Sequence, residues 1–265
     1  MLVKVNNLFE KLFGFRLVRT PKTQVSKKPA SLFEMNGRPL TVDFIGASGI
    51  GKTTMLNALM AKRNDDFKFL TFPEFQRHFA EKPFNEITLP DSFSQLLLLK
   101  YRAVHEGDYR IENKIKLHHF FYNTLRKVWF SLSANGGATI VYDESLFHNF
   151  ADVLPALERE NSTFFKEILA GRIFINFTAH TDIILNRLSR RMENEGIIRS
   201  HHHHKSMEEI TNAQTEYLLH QEELLKLLNR YHAPVLDIAA DADFNFNVGE
   251  VERFILTFQI SAHGV

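Results

Sequence analysis

Nine consecutive residues carry the clearest chemistry in the chain: Gly46, Ala47, Ser48, Gly49, Ile50, Gly51, Lys52, Thr53 and Thr54. They fit the spacing G-x-x-x-x-G-K-[ST], with Gly46, Gly51, Lys52 and Thr53 at the fixed positions. Glycines at both ends, with small residues between, let successive backbone N–H groups turn inward around a phosphate. A helix that follows aims its positive N-terminal end at the same anion. Lys52 adds a mobile positive charge for the β and γ phosphates of a nucleotide, and Thr53 a hydroxyl for Mg²⁺. The pattern therefore predicts ATP with Mg²⁺, because a glycine-rich turn that binds nothing has no use for Lys-Thr at that offset.

Three further groups can act on such a nucleotide. In Ala138–Ser145, read ATIVYDES, an apolar run delivers Asp143 and Glu144 to the carboxyl edge of a sheet, where ligands bind in open α/β folds. Asp143 there can share Mg²⁺ with Thr53, and Glu144 can polarise a nucleophile. Two acids merely solvated at a strand end are the plainer alternative. Phe72-Pro73-Glu74, with Arg77 one turn on, ends a second apolar run. Glu74 can accept a proton from a substrate hydroxyl and Arg77 can clamp an acceptor anion, or both can be ordinary surface charge. Arg187, Arg190 and Arg191, at i, i+3 and i+4, share one helical face and can converge on a transferring phosphoryl group. A basic solvated face is the alternative, and the polar stretch after them suits a lid spanning about 187–205.

These groups need a scaffold. From Pro39 the pattern alternates between strand and helix, which predicts α/β architecture with a parallel sheet and crossover helices. Strands are expected at 40–45, 67–72, 138–143, 172–178 and 234–239. A long helical insertion separates the second from the third, one helix capped by Asp91 or Ser92 and another ended by Gly136 and Gly137. Thr181 or Asp182 can cap the arginine helix. The stripe Ile210, Ala213, Tyr217, Leu218, Leu224, Leu225 and Leu228 reads as core packing. The polar loop Ala239–Asn247 precedes a terminal helix and can border the nucleotide base. His201–His204 cannot share one helical face and lack a spaced partner, so they are not expected to hold a metal. His118 and His119 read as a packed or solvated pair.

Residues 1–38 form a separate unit ahead of a domain at 39–265. Val5, Leu8, Phe9, Leu12 and Phe13 fall at helical spacing among lysines and arginines. Such a helix can lie on an anionic membrane surface, or pack its apolar face on the domain or on a second subunit of a homodimer. The chain as a whole carries a formal charge of only +1, which gives no global case for nucleic acid as a partner. Its 265 residues contain no cysteine, which excludes disulfides, thiolate metal sites and a cysteine nucleophile. No apolar run approaches a membrane span, and the N-terminal charges are interleaved rather than preceding a clean apolar stretch. The expected setting is cytoplasmic, with peripheral membrane contact through residues 1–30.

With these residues in place, the chain from Pro39 to Phe258 resembles the P-loop kinases of the nucleoside and nucleotide kinase superfamily, the thymidylate kinase-like group most of all. The resemblance rests on GASGIGKTT, the acid after the second strand, YDE after the third, R-x-x-R-R after the fourth, and PVLDIAADAD before the closing helix. It implies the P-loop NTPase three-layer fold, with five parallel strands in the order 2-3-1-4-5, a helical insertion and a lid. It also implies an ATP-dependent kinase in which Lys52, Thr53, Glu74, Asp143, Arg187 and Arg191 handle phosphates and acceptor. Asp143 is followed by Glu144 where that family carries Asp-Arg, so the small-molecule acceptor stays open among nucleosides, nucleotides, sugars and similar compounds. A hydrolytic ATPase or switch using Glu144 to activate water, and a non-catalytic ATP-binding module, are the alternatives. GTPases and transporter-type ATPases are disfavoured, since neither an Asn-Lys-x-Asp nor an LSGGQ-like stretch occurs. If the basic segment is a membrane contact, deleting residues 1–30 abolishes co-sedimentation with anionic liposomes; unchanged binding refutes it.

Overall fold

The computed structural model describes residues 38–79, 87–107, 109–134, 138–195 and 207–262, without the side chains of 191–195, 207 and 260–262. The basic N-terminal segment, Gly136 and Gly137, His201–His204 and the expected lid beyond 195 lie outside the described residues. Five strands form one parallel sheet: β1 (Leu40–Ile45), β2 (Leu70–Thr71), β3 (Thr139–Tyr142), β4 (Arg172–Thr178) and β5 (Val235–Ala239). Their order is β2-β3-β1-β4-β5, as expected. β1 is buried along its whole length, which explains why LTVDFI reads as a near-continuous apolar run.

Helices cover both faces. One side carries α1 (Lys52–Ala61), α8 (Thr181–Glu195) and α10 (Phe244–Ala262). The other carries α3 (Asp91–Glu106), α4 (Ile111–Ser133), α5 (Leu146–Asn149), α6 (Leu154–Glu160) and α7 (Ser162–Leu169), with α2 (Phe72–Phe79) beside β2. α9 (Met207–Arg230) packs into both cores, Ile210 on the α1 side and Leu224 and Leu228 on the α4 side. Side chains of the central strands alternate between the cores: Val42 and Phe44 with Ile173 and Ile175 on one face, Ile45 and Phe174 on the other. No helix among the described residues is long and apolar enough to cross a membrane.

Two expectations shift. β2, expected over 67–72, is two residues long, because Phe72 already begins α2. Pro73 suits a first helical turn, and the Glu74 carboxylate accepts the Thr71 N–H at 2.8 Å, closing the helix start. Phe67 and Phe69 pack into the α1 and α10 core instead of extending the strand. α3 begins behind Pro90, with no side-chain capping bond from Asp91 or Ser92.

The sheet also holds an ion pair with no access to water. Asp43, in the middle of β1, accepts from Arg172 Nη1 at 2.7 Å, with side chains 0% and 1% exposed. Arg172 Nε donates to Ile168 O, and the guanidinium lies over the Phe147 ring. Burial pushes the Asp43 carboxyl up, with Arg172 and Ser145 pulling against it. The pair fastens β1, which leads into the glycine-rich loop at Gly46, to β4, α7 and α5. Breaking a buried pair strands a charge, so Asp43→Ala should cost roughly 3–5 kcal/mol. Replacing both partners, Asp43→Leu with Arg172→Met, should recover most of it. Urea unfolding midpoints measure both; a single variant as stable as the parent contradicts this role.

Candidate active site

Gly46 leaves β1 with φ 142°, and a Cβ there would lie 2.9 Å from both Phe177 Cβ and Phe177 O. Only glycine lets the chain turn this close to β4. Gly51, at φ 115°, caps α1 in the left-handed region, and no side-chain bond or first-turn acid occupies the helix start. A helix start without a side-chain cap or an acid suits an anion. Lys52 is buried, its Nζ donating to Gly46 O at 2.6 Å and Ala47 O at 3.1 Å. Those carbonyls hold the ammonium at the loop it is expected to serve.

The Thr53 hydroxyl donates to Asp143 Oδ2 at 3.0 Å, joining residues 90 apart in sequence. β1 and β3 are neighbours in register, Asp43 against Tyr142, so the chains leave the sheet side by side and bring the two oxygens together. The five parallel strands in the order 2-3-1-4-5, with the glycine-rich turn directly after β1, match the α/β architecture expected from the sequence. Glu144 follows, half-buried, close enough for its charge to bear on the Tyr217 phenol.

α8 adds a cation. Arg187 Nη1 donates to Ile50 O at 2.8 Å and Nη2 to Ala240 O at 3.0 Å, so one guanidinium bridges the glycine-rich loop and the turn after β5. Gly49 completes the contact, where a Cβ would press on Leu188 at 3.0 Å. Arg190 is exposed, and the Arg191 side chain lies outside the described residues.

Glu74 is placed differently from the expectation that it faces an acceptor. Its carboxylate accepts from Arg63 Nη1 at 3.0 and 2.9 Å, from the Thr71 N–H at 2.8 Å and from the Thr71 hydroxyl at 2.9 Å. Because β2 stops level with Val141, its chain turns into α2 before the carboxyl edge where Asp143 stands. Arg63 instead borders a cavity of about 610 Å³ at the opposite edge, beside Leu70 and Thr139, the first residues of their strands. Arg77 is exposed.

Two features at the loop have no chemical signature in sequence. Tyr217 falls within the apolar stripe of α9, yet its hydroxyl accepts the Gly46 N–H at 3.3 Å and lies 2.6 Å from Nδ1 of His148 on α5. The pairing of Asp43 with Arg172 is the other, although an acid inside LTVDFI is a visible anomaly.

No family model and no curated protein matches the chain. Among solved structures, a deoxyadenosine kinase from M. mycoides with bound dATP is similar at 15% identity. The match covers 82% of this chain and 98% of that one, with a TM-score of 0.41.

The Glu74 contacts carry a pH consequence. Burial alone would raise this carboxyl, but the Thr71 and Arg63 donors outweigh it and hold it below the ordinary value of 4.5. A depressed folded-state value stabilises the fold above about pH 4.5 and ceases to do so as pH falls through the folded value. Glu74→Gln should therefore lower Tm at neutral pH, by a stability loss of about 1–2 kcal/mol, and converge on the parent in acid. A pH-independent gap between the two melting curves contradicts the assignment.

Proposed function

We propose that the chain is an ATP- and Mg²⁺-dependent phosphotransferase, a small-molecule kinase acting on a nucleoside, nucleotide, sugar or similar acceptor. The observation that carries this reading is the Thr53 to Asp143 contact at 3.0 Å, beside Lys52 and the opened α1 start. A hydroxyl and a carboxylate are hard oxygen donors suited to Mg²⁺, which keeps its other positions for water and phosphate oxygens. Among the described residues no cluster of three His, Cys, Asp or Glu side chains could hold a metal alone, so the nucleotide itself would complete the set.

In this mechanism the N–H groups of Ala47–Thr54, apart from that of Ile50, which donates to Ala47 O at 3.4 Å, would wrap the phosphates. Lys52 would move from the loop carbonyls to the β and γ phosphates, and Thr53 and Asp143 would hold Mg²⁺, which would supply positive charge against the phosphates. The acceptor oxygen bonds to the γ-phosphorus as the bond from that phosphorus to the bridging oxygen breaks. ADP leaves, and the acceptor proton passes to Glu144, since Glu74 is engaged by Arg63. Arg187 turns from Ile50 O to the spreading charge of the transferred group. The turn it touches at Ala240, with the exposed rings of Phe244 and Phe246 beyond, borders the base.

The test is ADP release with and without a panel of nucleosides, nucleotides and sugars. Stimulation by one acceptor class, lost about 10²–10³-fold in Lys52→Ala, supports the kinase. Turnover that no acceptor stimulates favours the hydrolytic alternative with Glu144 on water. ATP binding without turnover favours a non-catalytic module, and full activity of Lys52→Ala refutes the placement of the phosphates.

A further inference from the structure

Gly46 is held on three sides. Its carbonyl accepts Lys52 Nζ at 2.6 Å, its Cα faces the Phe177 backbone, and its N–H donates to the Tyr217 hydroxyl at 3.3 Å. A phosphate that draws Lys52 away removes the first restraint. What remains is the contact with Phe177 and the hydrogen bond to Tyr217, so the hydroxyl matters most once the nucleotide is bound.

The same hydroxyl lies 2.6 Å from His148 Nδ1, with the two rings 5.1 Å apart. A phenol has one proton and two lone pairs. It can therefore accept the Gly46 N–H and give its own proton to Nδ1 of a neutral imidazole, satisfying both partners at once. Burial pushes the Tyr217 phenol up, the Gly46 N–H opposing and the nearby Glu144 charge adding to it, so the proton stays on the oxygen. His148 belongs to α5, which begins three residues after Asp143. One oxygen atom on α9 thus spans the first residue of the phosphate loop and the segment that carries the carboxylate facing Thr53.

We infer that Tyr217 is a positioning residue for Mg·ATP: its hydroxyl, shared between the Gly46 N–H and His148 Nδ1, keeps the loop and the Asp143 turn at the spacing the nucleotide requires. This rests on the nucleotide-binding reading above. Tyr217 touches no reacting atom; it acts through Gly46 and His148.

The test titrates Mg·ATP calorimetrically into the full chain and its variants. Tyr217→Phe removes one oxygen and should weaken binding about tenfold, the worth of one such bond. Ser131→Ala removes a different hydroxyl pair, the buried contact of Ser131 Oγ with Tyr142 OH at 2.6 Å, on the α4 side of the sheet. It should lower Tm comparably yet leave binding within about twofold. His148→Ala should repeat the loss, and His148→Asn, which keeps an acceptor near the Nδ1 position, should restore most of it. In amide exchange, Gly46 should lose protection in Tyr217→Phe and not in Ser131→Ala. Parental affinity in Tyr217→Phe, or equal weakening in both hydroxyl variants, overturns the positioning role. If the parent fails to bind Mg·ATP, the nucleotide reading falls and this inference with it. If the parent binds, Lys52→Ala does not and Tyr217→Phe does, only the positioning role falls.

Discussion

The hydrogen bond from the Thr53 hydroxyl to Asp143 sets the constraint that the rest of the structure serves. It requires two segments 90 residues apart to leave adjacent parallel strands at the same height, within 3.0 Å of each other. Everything between them, from α1 to α4, is an excursion that must return in register, which the Leu40 to Asp43 pairing with Thr139 to Tyr142 secures. A shift of one residue in that pairing would turn the alternating side chains to the wrong faces and carry Asp143 away from the loop.

Polar groups inside the sheet enforce that geometry where apolar packing alone would tolerate slippage. Asp43 and Arg172 tie β1 to β4. Asn176 continues the link, donating to Asp237 on β5 and accepting from Gln221 on α9. A buried polar group without its partner is costly, so each bond penalises alternative registers more than it stabilises the native one. α9 takes part in two such contacts, Gln221 to Asn176 and Tyr217 to Gly46, and is thereby attached to the sheet and to the loop.

Much of this architecture is legible in the amino-acid sequence. The loop at Gly46–Thr54 and the acids at Asp143 and Glu144 are local patterns whose chemistry dictates their spelling. The parallel sheet follows from alternating strands and helices, and its strand order from the family resemblance. The position of Glu74 is not legible, because it depends on how many residues β2 pairs with β3. A two-residue edge strand and a six-residue one look alike when Phe67, Phe69 and Phe72 are all apolar. Tyr217 is hidden for the opposite reason: its ring obeys the helical stripe, and only the hydroxyl at its tip has a second task. Arg187 is a middle case, since its helix and spacing point to phosphates while its two carbonyl partners depend on loops meeting in space.

The proposed mechanism depends most on Thr53 and Asp143 together holding the Mg²⁺ of a bound nucleotide. The most direct measurement compares ATP affinity with saturating Mg²⁺ and with the metal chelated, in the parent, Thr53→Val and Asp143→Asn. The parent should bind more tightly with Mg²⁺, and each variant should lose that increment while keeping metal-free binding through the loop and Lys52. An increment equal to the parent's in both variants would contradict the account.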